Sequence, residues 1–233
     1  MPTTGSLPHA GQVCGEVHYA GSLPLPQPGY VSIAETTINA DCSTTTTAVR
    51  VAPLSQLEPG VSQTEPSASS QVEGGVGGGA GNESSPPTAS ASAPVWSTEA
   101  TVHQRLWDCC GILLNAFYTD VKWGFTGRAV SWYTGTDYER HHTEWPFPGW
   151  YPLAHRICCG NQAGRWAVSI SGHIEFGYRG VFDPTGTWYY NTYDNLLIAY
   201  GNGGAACRYA YSFRHAFRGW HTQDWCGYDT WRR

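Results

Sequence analysis

The segment RWAVSISGHIEFGYRGVF, residues 165–182, alternates between two chemistries. Its even positions Trp166, Val168, Ile170, Ile174, Phe176, Tyr178 and Phe182 are apolar, with glycine at 172 and 180. Its odd positions Arg165, Ser169, Ser171, His173, Glu175 and Arg179 are polar. Successive side chains of a strand point to opposite faces, so this pattern predicts a strand with one buried and one wet face. Gly172 marks a place where a bulge or bend could split it.

Working outward, Asp183-Pro184-Thr185-Gly186 has the residues of a tight turn. Thr187 to Tyr200 reads as the returning strand, closed by a second turn signal at Gly201-Asn202-Gly203-Gly204. Cys207 to Phe217 alternates again, with Cys207, Tyr209, Tyr211, Phe213 and Phe217 inward and Arg208, Ser212, Arg214 and Arg218 outward. The expectation is a three-stranded antiparallel meander. Upstream, Phe117, Val121, Trp123 and Phe125 share one face of a further strand, and residues 121–127 echo residues 174–180 in type. Over 98–114, Val102, Leu106, Cys109 and Leu113 also fit helical spacing, which predicts one short helix there. The resulting fold class is all-β, an antiparallel β-sandwich or small barrel over about residues 95–233.

The aromatic residues mark the limits of that domain. All 11 Trp, all 7 Phe and all Tyr except Tyr19 and Tyr30 lie beyond residue 94. Residues 1–53 read as a small Thr-rich hairpin segment or disordered tail. Residues 54–94, rich in Ser, Gly and Pro and lacking aromatics, read as a disordered linker. The first 94 residues hold seven acids against Arg50, and the remainder is near balance. Neither part has the basic surface of a nucleic-acid-binding protein. No apolar run approaches the length of a transmembrane helix.

Eight cysteines, at 14, 42, 109, 110, 158, 159, 207 and 226, divide as two before residue 95 and six after. Without Cys-x-x-Cys spacing, a disulfide framework in an oxidising compartment is expected rather than a zinc site. Pairs Cys14–Cys42 and Cys207–Cys226 are expected. The adjacent Cys109-Cys110 and Cys158-Cys159 are expected to seek distant partners, since a ring closed between neighbours strains the peptide. This points to a secreted or extracellular protein, although residues 1–30 carry no Lys or Arg and no export-type apolar run.

Four groups of residues could carry chemistry. His173 and Glu175 share the wet face of a strand, roughly 7 Å apart, a spacing suited to an acid–base pair or two metal ligands. The plain alternative is an ordinary solvated face. Asp137, Glu139, His141, His142 and Glu144 read as a polar loop that could supply paired carboxylates to a glycosidic bond, or be only a solvated hairpin. Trp145-Pro146-Phe147-Pro148-Gly149-Trp150-Tyr151-Pro152 reads as a rigid aromatic loop. Its Trp145, Trp150 and Tyr151 could stack against a sugar ring, or the loop could fold back over the core. Arg208, Arg214 and Arg218 could receive anionic groups, or merely blunt an edge strand.

No phosphate-binding loop, dinucleotide fingerprint, metalloprotease or EF-hand pattern is present, so no cofactor or metal is expected. The first functional expectation is a non-catalytic extracellular binding or structural domain whose partner is a polysaccharide or another extracellular protein. The alternative is a secreted hydrolase using Glu139, Glu144, His173 or Glu175.

Overall fold

In the computed structural model, the described residues are 13–54, 67–74 (backbone), 94–142, 149–158, 165–178 and 188–228. They form thirteen strands: β1 Glu16–Pro24, β2 Tyr30–Ile38, β3 Thr44–Thr46, β4 Arg50–Pro53, β5 Ser67–Gly74, β6 Trp96–Trp107, β7 Leu113–Phe125, β8 Val130–His141, β9 Tyr151–Cys158, β10 Ala167–Tyr178, β11 Tyr189–Tyr200, β12 Ala205–Arg214 and β13 His221–Tyr228. Two antiparallel sheets pack face to face. One runs β1-β12-β11-β10-β9. The other runs β3-β2-β13-β6-β7-β8-β5, with β4 also on β2. This is a sandwich and not a closed barrel.

The alternation from Ala167 to Tyr178 builds β10, and the predicted meander is β10-β11-β12. Gly172 does not split the strand. A Cβ there would lie 2.5 Å from Thr119 Oγ1 and 2.8 Å from the Phe117 ring, so the glycine lets the two sheets approach closely. The irregularity falls instead between Glu175 and Phe176, opposite β9. At the β11–β12 turn, Gly203 has φ of 87°, a conformation that only glycine adopts without strain.

Three expectations change. The short helix over 98–114 is absent, and that stretch forms β6, a turn and the start of β7. Residues 13–54 are not a separate module, because β1 pairs with β12 along its whole length and β2 pairs with β13. The stretch taken as linker contributes β5, which pairs with β8.

The core is aromatic and aliphatic. Phe117, Val121 and Trp123 of β7 meet Ile170, Ile174 and Phe176 of β10 and Tyr193, Leu197 and Phe213 of β11 and β12, all buried. Each such side chain contributes about 1.5–3 kcal/mol when removed from water. Two disulfides cross the sandwich. Cys207–Cys226 joins β12 to β13, and Cys14–Cys42 ties the approach to β1 to the β2–β3 turn. Cys109 and Cys110 lie exposed in the β6–β7 turn with sulfurs 3.5 Å apart and are bonded to no described cysteine, contrary to the expected distant pairing. Cys159 lies outside the described residues.

Candidate functional site

On the five-stranded sheet the wet positions of five strands come into register. One row crosses Ser22, Arg208, Leu196, Ser171 and Cys158. The next crosses Ala20, Ala210, Asp194, His173 and Arg156. Because the sheet twists and curves, these rows line a hollow of about 640 Å³ walled by all five strands. His173 Nδ1 and Asp194 Oδ1 are 2.7 Å apart at its centre.

The same face continues toward the β10–β11 end. A second hollow of about 90 Å³ is lined by Glu16, Glu175, Tyr190, Thr192, Ser212 and Arg214. The Arg214 guanidinium lies 5.4 Å from the centre of the Tyr190 ring. Beyond it runs an aromatic strip. Trp188 stacks near Tyr190 at 6.2 Å and 19°, and Tyr151 meets Trp188 edge-on at 6.2 Å. Trp188 is 37% exposed. The strip follows from register, because Tyr151 and Tyr190 flank Gly177 from its two sides.

The expected site residues separate accordingly. His173 and Glu175 lie on this open face, as do Arg208 and Arg214. Strand β12 sits between β1 and β11, so its arginines do not blunt an edge. Tyr151 joins the aromatic strip. Trp150, two-thirds of the way along the Pro-rich loop, instead turns inward. It is 3% exposed, stacks on Tyr178 at 5.0 Å and meets Trp220 edge-on at 6.0 Å. Its indole closes the core and is not offered to a ligand. Glu144 and Trp145 lie outside the described residues.

Glu139 belongs elsewhere as well. Residues 130–141 form β8 rather than a polar loop, and Asp137 and Glu139 point between the sheets opposite Thr119 and Phe117. Glu139 is 1% exposed, and burial raises its carboxyl above the ordinary range. His155 of β9 holds Asp137 at 2.9 Å. Glu139 and the His173–Glu175 pair therefore lie on opposite sides of the five-stranded sheet, and no one cleft unites them.

Sequence reasoning missed Asp194, Arg156, Trp188 and Tyr190. Alternation through 188–200 would have found three of them, since Trp188, Tyr190 and Asp194 share the wet parity of that strand.

No protein family, curated protein or solved structure matches the chain. Among the described residues, no group of three or more His, Cys, Asp or Glu could hold a metal ion, and no helix is long and apolar enough to cross a membrane.

Proposed function

We propose that the protein is a non-catalytic extracellular glycan-binding domain whose site is the open face of the five-stranded sheet. The observation that carries this reading is the Tyr151–Trp188–Tyr190 strip, half-buried at the tyrosines and exposed at Trp188, which leads past a small polar hollow into a wider open one. A saccharide presents an apolar C–H face and an equatorial ring of hydroxyls. Aromatic rings accept the former, and Arg, Glu, Asp, Thr and Ser side chains pair with the latter. The two disulfides support an oxidising compartment. Retention of the protein in native gels containing dissolved polysaccharides tests the reading. Retardation that is lost in a folded Trp188→Ala, Tyr190→Ala variant supports it. A panel of plant, microbial and animal polysaccharides that never retards the wild type would overturn it.

A second reading has its own observation. The His173–Asp194 contact at 2.7 Å is the arrangement that orients a general base, and Glu175 lies two residues along the same face. A hydrolase using these groups releases reducing ends from a bound polysaccharide, and His173→Ala abolishes that release. Binding without any release at prolonged incubation excludes it.

A further inference from the structure

We infer that the glycan bound on this face is acidic, with a carboxylate or sulfate group seated in the larger hollow between Arg156 and Arg208. This rests on the glycan-binding reading of the same face and specifies its ligand.

The hollow is lined by two arginines and one carboxylate. Arg156 of β9 and Arg208 of β12 are exposed and, among the described residues, neither has an ion-pair or hydrogen-bond partner. The one carboxylate in the lining, Asp194, contacts His173 through Oδ1. Three inter-strand steps and a two-residue offset along the strands separate Arg156 from Arg208, roughly 16 Å between backbones. Two long side chains leaning inward from that separation can meet one group held above β10 and β11. A guanidinium matches a carboxylate or sulfate through two parallel N–H donors, and with two guanidinium groups against one carboxylate the lining keeps a positive balance.

The chain as a whole is acidic, with a formal net charge of −5. Indiscriminate attraction of polyanions is therefore not its default behaviour. The positive hollow is a local exception. It lies on the same face as the aromatic strip, six residues or roughly 20 Å along the chain from Trp188 to Asp194, so a ligand that stacks on Trp188 and also reaches the arginines extends over several sugar units.

The test uses the full chain in affinity gels with three polymers, namely polygalacturonate, dextran sulfate and neutral dextran. Arg156→Ala/Arg208→Ala is compared with Lys122→Ala/Arg128→Ala, which removes the same charge from exposed positions off this face. The inference expects the wild type to prefer an acidic polymer. The Arg156/Arg208 variant should lose about tenfold or more in affinity while the control variant does not. Preference for polygalacturonate identifies a carboxylate, and preference for dextran sulfate identifies a sulfate ester. Equal retention by neutral dextran, abolished by Trp188→Ala, overturns the acidic ligand and leaves the glycan-binding reading intact. Equal loss in both charge variants also overturns it, as nonspecific attraction. Retention by no polymer removes both readings.

Discussion

The outer faces of the two sheets are both rich in aromatic and cationic side chains, yet they differ in what those side chains are used for. On the larger sheet, Trp225 lies under Arg105, whose guanidinium is 4.2 Å from the ring centre. His103 stacks on Trp225 at 5.7 Å and meets Tyr118 edge-on at 4.5 Å, and Tyr118 stacks on Tyr138. Trp225 is 5% exposed and packs with Val31, Ile33 and Ala52. On the smaller sheet, Trp188 and Tyr190 stand beside an open hollow with charged neighbours. Aromatic content therefore does not locate a site. What separates the two faces is exposure, 5% for Trp225 against 37% for Trp188.

The largest effect that separates the faces is on stability. Trp225→Ala should cost about 3–5 kcal/mol in chemical denaturation, the range for deleting a buried Trp. Glycan binding by the remaining folded protein should be unchanged. A cost below about 1 kcal/mol would mean that this face is as loosely used as the other.

Next comes the bridge that holds the faces back to back. Cys207→Ser/Cys226→Ser opens a 19-residue loop. Freeing a loop of that size in the unfolded chain should lower stability by about 3 kcal/mol, read from the urea midpoint. An unshifted midpoint would contradict the role assigned to the bridge.

On the open face the order reverses. Trp188→Ala should change stability by less than about 1 kcal/mol, as at other exposed positions. It should weaken polysaccharide binding about tenfold, roughly 1.4 kcal/mol. Isothermal titration alongside thermal melts separates the two quantities.

The subtlest effect is a slope. Asp224 of β13 is fully buried between the sheets, beside Tyr19, Tyr193 and Tyr209, and accepts a 2.5 Å hydrogen bond from Tyr211. Gln104 of β6 and Ala34 of β2 lie opposite it in register. Burial pushes its carboxyl well above the ordinary range. The folded state thus holds a proton that the unfolded chain releases near pH 4. That contribution is full below about pH 4 and fades as pH rises toward the folded value. Asp224→Asn should therefore flatten the decline of Tm with rising pH. Parallel Tm curves for the two proteins would contradict it.

The part of the fold legible in sequence was that set by local alternation. Strands β10 to β12 follow from period two, and both described disulfides match the expected pairs. What escaped was set by distant partners. Strand β1 pairs with a strand nearly the whole chain away, and nothing in residues 16–24 states that register. The helix expected over 98–114 failed because Val102 and Leu106 are four apart, a spacing shared by a helix and by alternate positions of a strand. The prolines around Trp150 suggest an exposed loop and a binding residue, whereas Tyr178 and Trp220 enclose its indole. For the site, His173, Glu175 and the arginines were visible as wet-face residues. Their company across the sheet, Asp194, Arg156 and Trp188, required the register.

The most direct measurement of the central claim is the indole N–H spectrum of nitrogen-labelled protein titrated with an acidic oligosaccharide, with Trp188 and Trp225 assigned by Phe substitution. The Trp188 signal is expected to move in a saturable manner while the Trp225 signal stays fixed. Movement of Trp225 with Trp188 unaffected would contradict it.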